Sequence, residues 1–148
     1  MKKIFSIAVI STLFFSVAVN AVDSEDAIEY RQAVMETIVW NVKPMGAMMK
    51  GKVPFDTQAF AKRAKNLAFL SGLSLEGFIA GSYDEETDAK ANIETNWEDF
   101  KAKMADFEKE AAKLAEVAKN ATKLKDVGTQ FKNTVKTCKA CHKKYKKR

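Results

Sequence analysis

The densest chemistry in this chain lies near its C-terminus, where Cys138-Lys139-Ala140-Cys141-His142 sets two thiols three positions apart with an imidazole directly after the second. On a helix that spacing puts both sulfurs about one turn apart, so they can form thioethers to two vinyl groups along one edge of a porphyrin. The adjacent ring can then bind the iron from below, which is the pattern of c-type haem attachment. Other uses of these atoms are weaker. A disulfide across one helical turn closes too short a loop to stabilise much. A thioredoxin-like pair needs a preceding strand and a parallel sheet, and neither is legible here. Zinc would find three ligands with no second cluster. His142 is the only histidine, so sites that need two imidazoles are excluded and a Ser/His/Asp triad could draw on this ring alone. The expectation is one covalently bound haem c with its iron, in a protein that is not an enzyme.

The elements that must position this motif read as helices. The 148 residues contain 2 Pro and 6 Gly, too few turn-makers for a sandwich or barrel. In the first helical stretch Ile28, Met35, Val42 and Met49 recur every seven residues, with Ile38 and Met45 between them and Arg31 on the same seam. Pro44 removes a backbone donor, which predicts a kink or break near residues 41–43; Gly51 and Pro54 close the stretch. A second helix follows the N-cap candidate Asp56 and shows Phe60, Ala64, Leu67 and Ser71 as its narrow stripe. Residues 73–91, with Asp84, Glu85, Glu86 and Asp88, read as a long solvated acidic connection lacking the alternating ligands of a calcium loop. Trp97, Phe100, Met104, Phe107, Ala111, Leu114 and Ala118 define a third helix, and Leu124, Val127, Phe131, Val135, Cys138, Cys141 and Tyr145 a fourth. The predicted class is all-α, an antiparallel four-helix bundle with the cysteines on a core-facing seam.

The N-terminus reads as a leader. Met1-Lys2-Lys3 is followed by a nearly uncharged apolar run of about 16 residues, short of the roughly 20 needed to span a bilayer, and Val19-Asn20-Ala21 fits a cleavage site. Residues 1–21 are therefore a predicted signal peptide and 22–148 the mature domain, with no stable membrane insertion after cleavage and a periplasmic location in a Gram-negative cell. Export agrees with the motif, since haem is attached this way outside the cytoplasm. The chain carries 25 Lys+Arg against 19 Asp+Glu, and its basic tail Lys143-Lys144-Tyr145-Lys146-Lys147-Arg148 has a nucleic-acid flavour that export makes irrelevant. Two uses of the tail stay open: steering acidic redox partner proteins, or complementing the helix macrodipole as a solvated end.

With these residues in view, the chain resembles the class II cytochromes c, which comprise cytochrome c′ and its low-spin relatives of the cytochrome c-556 type. The resemblance covers residues 24–148. It rests on Tyr30-Arg31-Gln32, Lys50-Gly51, Pro54-Phe55-Asp56, Trp97-Glu98-Asp99-Phe100 and, most specifically, the haem motif at the C-terminal end. It implies a bundle with haem held inside one end and His142 as proximal iron ligand. Its distal position falls on Met35, where members of the family carry either an apolar residue beside five-coordinate iron or a methionine bound to it.

The resemblance therefore implies a Met35 thioether as sixth ligand and a His/Met-ligated carrier of single electrons, since a filled sixth site suits electron transfer. Met35 as a simple core filler remains open. The alternative is a five-coordinate, high-spin cytochrome c′ that binds NO or CO. Arg31 resembles the family arginine beside a haem propionate, and Gln32 and Trp97 are further candidates to line the pocket. Glu94 and Lys146 depart from the Trp and Arg common at those places. The family also implies a homodimer through the first two helices.

Overall fold

The computed structural model describes residues 23–83 and 86–147, so the predicted leader, Val22, Asp84, Glu85 and Arg148 lie outside the described residues. The elements are α1 (Ser24–Met49), α2 (Thr57–Leu73), α3 (Asn92–Thr95), α4 (Trp97–Lys119) and α5 (Leu124–Tyr145). The four long helices make the expected bundle, and α3 is one added turn ahead of α4. α2 packs closely on α4, and α4 on α5, while α1 leans mainly on α2 and meets α5 sparsely.

The helix starts follow from the sequence. Asp56 caps α2 by accepting from the Ala59 N–H at 2.9 Å, as predicted. Asp126 reaches back to accept from the Thr122 and Lys123 N–H groups at 3.0 and 3.1 Å ahead of α5. Gly51, at φ +66°, takes the left-handed turn that ends α1, a conformation other residues adopt only with strain.

The predicted break at Pro44 does not occur, for α1 runs unbroken from Ser24 to Met49. Proline cannot donate to the Trp40 carbonyl four residues back, and an orphaned carbonyl would weaken the helix there. Arg63 on α2 supplies the donor, its Nη1 lying 3.2 Å from the Trp40 oxygen. One residue on, buried Asn41 donates to the Thr37 carbonyl at 2.9 Å and accepts from Asn66 at 3.2 Å. The helix survives because its neighbour completes it.

The buried seam of α1 also differs from the heptad read in the sequence. Ala27, Arg31, Val34, Ile38, Asn41, Met45 and Met48 are buried and face the bundle, with Ile28 beside them. Met35, Val42 and Met49 form a flanking stripe that is only partly buried. That stripe turns toward α5, since Met49 Cε comes within 3.4 Å of where a Cβ on Gly128 would lie. Both registers alternate three and four, so spacing alone cannot choose between them. The predicted stripes of α2 and α4 are buried in full apart from half-exposed Trp97, and on α5 the polar Thr134 joins the buried face.

The 73–91 connection is solvated only in part: Glu86 and Asp88 of its acidic run are exposed, as expected, but other residues turn inward. Gly77, Ser82 and Thr87 are buried, and the segment folds over α1 as a strap. A Cβ on Gly77 would lie 2.7 Å from Arg31 Cβ and 2.8 Å from the Ala27 carbonyl, so only glycine allows this approach. Glu94 accepts from the Gly81 N–H at 2.9 Å, and the strap's end pairs with the C-terminal tail through Lys90 N to Tyr145 O at 2.9 Å.

Candidate haem site

Cys138, Cys141 and His142 occupy the last turns of α5, one helix from start to end. Both thiols are unbridged and half-buried. A disulfide would need Cβ atoms about 4 Å apart, closer than the roughly 5–6 Å that an intact helix sets between positions i and i+3. Among the described residues no three His, Cys, Asp or Glu side chains gather into a metal cluster, which removes the zinc reading.

The two thiols face different parts of the core. Cys138 packs against the large cluster built from Val34, Ile38, Phe60, Leu67, Phe107, Leu114 and Phe131, whereas Cys141 packs against a smaller one of Ile93, Phe100, Met104 and Tyr145. Met35 touches both clusters from α1. Burial pushes the Cys141 thiol up to about 11 and raises Cys138 as well, so both are neutral thiols at ordinary pH. Burial of part of the His142 ring, aided by Lys146, holds its imidazole below its ordinary value; neutral imidazole is the form that binds iron. Two free thiols, a neutral imidazole and a sparse α1–α5 contact would suit a flat apolar macrocycle held between α1 and α5.

The structure gives Arg31 partners other than the propionate that the resemblance implies. The residue is 3% exposed, and its guanidinium donates to the strap. Nη1 reaches the Gly77 carbonyl at 2.9 Å and Ser82 Oγ at 2.7 Å; Nη2 reaches Thr87 Oγ1 at 2.9 Å and the Ser82 carbonyl. Phe78 and Tyr83 cover its faces, with ring centroids 5.0 and 5.5 Å from Cζ. Gln32 is exposed, its amide 3.4 Å from the Glu86 carbonyl. Trp97 is half-buried and stacks on Phe100 at 5.8 Å, within reach of the cluster that holds Cys141. The strap residues escaped the sequence reading, although a buried arginine on a seam demands several oxygen acceptors and Ser82 and Thr87 are among the few hydroxyl residues of that connection.

The tail is also engaged. Lys144 pairs with Asp99 at 2.9 Å and Lys146 with Asp88 at 3.1 Å. Asp99 also accepts from buried Tyr145, and these two hydrogen bonds, Tyr145 first, hold its carboxyl at about 2. A carboxyl depressed in the folded state stabilises it above the unfolded value, about 3.9, and that contribution is lost as pH falls through about 2. Asp99→Asn should therefore flatten the fall in melting temperature between about pH 4 and pH 2. Parallel melting curves for the two proteins over that range would show that Asp99 contributes nothing.

The family model described as Cytochrome C′ matches residues 26–146. The chain belongs to the cytochrome c′ family. It is 37% identical to the cytochrome c′ of Halomonas halodenitrificans over 81% of this chain and 95% of that one. It resembles the solved cytochrome c prime of Shewanella frigidimarina at 47% identity and a TM-score of 0.83, covering 87% of this chain and all of the other. A ferrous variant of the Alcaligenes xylosoxidans cytochrome c prime with bound NO matches at 29% identity and a TM-score of 0.78, over 87% of this chain and 99% of that one. A cytochrome c′ carries one covalently bound haem c, and the turn from Cys138 to His142 fits that group. The His142/Met35 electron-carrier reading finds no support in these relatives, and the gas-binding alternative agrees with them better.

Proposed function

We propose that this chain is an exported haem protein whose iron is held on one side by His142 and takes up NO or CO on the other. Cys138 and Cys141 tether the macrocycle, and Met35 lines its distal face as an apolar wall. The observation that carries this is the place of Met35: half-buried, on the stripe of α1 that turns toward α5, and packed between two apolar clusters. Five-coordinate iron offers a vacant site to a diatomic ligand. A methionine, unbranched and with three rotatable bonds, can give way to a small ligand at low cost, as a β-branched wall could not. The NO-bound relative supports the same reading.

Export rests on the leader-like residues 1–21 and makes the location periplasmic; among the described residues no helix is long and apolar enough to cross a membrane. The reading is of a binding protein and not an enzyme, supplied with electrons by a redox partner. A homodimer would bury Trp40 on α1 and Phe69 on α2, which are 72% and 71% exposed.

The test is the absorption spectrum of haem-loaded protein, oxidised and reduced, before and after CO, for the native chain and Met35→Leu. Broad high-spin bands that shift with CO in both proteins, with affinities within about tenfold, are expected for a wall residue, since a leucine-for-methionine swap conserves volume. Sharp low-spin bands that resist CO in the native protein and become high-spin in Met35→Leu would return the chain to the electron-carrier reading.

A further inference from the structure

The charges of the two central helices are arranged in opposite ways. On α4 four lysines are each paired with a carboxylate of the same helix: Lys101 with Glu98 at 2.8 Å, Lys103 with Asp99 at 3.6 Å, Lys113 with Glu110 at 2.8 Å and Lys119 with Glu116 at 2.5 Å. On α5 the sole carboxylate is Asp126, which is engaged in the cap. Lys125, Lys132, Lys136, Lys139 and Lys143 are all exposed and form no ion pair with a described residue. Lys136 borders a shallow cleft with Lys103, Asp106 and Glu110, but Glu110 is already held by Lys113 and Gln130.

At 3.6 residues per turn these five lysines fall within an arc of about 60° along roughly 27 Å of helix, directly opposite the buried face. Helix electrostatics does not explain them. Cations complement the macrodipole in the last turn only, whereas Lys125 lies in the first turn and Lys132 and Lys136 in the middle. Like charges three and four apart repel, and no carboxylate on α5 offsets them. The residues along one flank of that arc, Thr129, Asn133 and Ala140, are exposed and carry no apolar bulk to enter a lipid surface.

We propose that the outer face of α5 is the docking surface for an acidic one-electron redox protein. The inference deepens the functional reading above and rests on it, because CO requires ferrous iron and the partner would deliver that electron: the partner is oxidised by one electron as the iron passes from ferric to ferrous. A partner seated there would lie one helix diameter, about 10–12 Å, from the Cys138 and Cys141 sulfurs on the opposite face, the positions that would hold the haem. Of the tail lysines predicted for this role, Lys144 and Lys146 are engaged with Asp99 and Asp88, while Lys143 is the last member of the unpaired stripe that continues higher on the helix.

The test uses the haem-loaded full chain, reduced flavodoxin as the acidic donor, and vesicles of phosphatidylglycerol and phosphatidylcholine as the competing anionic surface. Lys132→Glu with Lys139→Glu should lower the second-order reduction rate at low salt by about tenfold or more, the range expected of electrostatic steering. The control Lys62→Glu with Lys65→Glu changes net charge equally on exposed positions of α2 and should change the rate less than about twofold. Backbone amide shifts on adding oxidised flavodoxin should map to 125–143. Equal slowing by both variants, or an amide footprint elsewhere, would overturn the proposal. So would vesicle binding that maps to the stripe while flavodoxin leaves no footprint. CO binding measured on the same samples separates the two readings: its loss in the native protein defeats the gas-binding function, while the amide footprint still reports on the surface.

Discussion

Replacing Arg31 by methionine is expected to destabilise the protein by about 3–5 kcal/mol, the range seen when one side of a buried charged hydrogen-bond set is removed. Methionine fills much of the same volume, so the loss would come from the acceptors left behind. The Gly77 and Ser82 carbonyls and the hydroxyls of Ser82 and Thr87 all take hydrogen bonds from this guanidinium. Ser82 and Thr87 are 0% and 5% exposed, so water cannot replace those bonds without opening the strap. Lysine should rescue little, because one ammonium cannot span oxygens arranged around a planar fork. Amide hydrogen exchange locates the effect. Protection at 77–83 and 86–90 should fall further than protection in α4, because the strap lies over α1 and is held there by Arg31. Unchanged exchange in the strap, or full rescue by Arg31→Lys, would sink this account.

The second large effect is expected from Cys138→Ala with Cys141→Ala, which removes both thioether tethers while leaving His142. These positions contact separate core clusters, and Met35 on α1 contacts both. A haem between them would join the two halves of the interior and cover the sparse α1–α5 seam. Its loss should cost about 3 kcal/mol or more and lower the melting temperature by roughly 10 °C. The untethered chain should also melt over a broader range, with the α3 end of the bundle loosening first. Circular dichroism at matched concentration reads both quantities. A cooperative transition with an unchanged midpoint would show that the bundle holds itself together and that the haem is a passenger.

Much of this was legible in the sequence. The buried stripes of α2 and α4, the Asp56 cap and the place of the Cys138–His142 motif on the last turns of one helix all depend on residues close together in the chain, and local periodicity specifies them. Pro44 shows where local reading stops: a rule that is correct for an isolated helix failed because Arg63, on another helix, donates to the carbonyl that proline leaves open.

By itself the sequence determined the number of long helices, the class of the fold and the chemistry of the haem motif, because helix period and motif spacing are set within a few turns of chain. Tertiary structure decided the rest. Two registers of α1 bury equally plausible residues, and only packing against α2 placed Met35 on the flanking stripe toward α5. A buried guanidinium must find oxygens, yet which ones is a question of what lies across the interface, and the strap answered it from 46 to 56 residues away. Lysines on α4 and α5 look alike in composition, and only side-chain geometry separates those already paired with carboxylates from those facing outward alone.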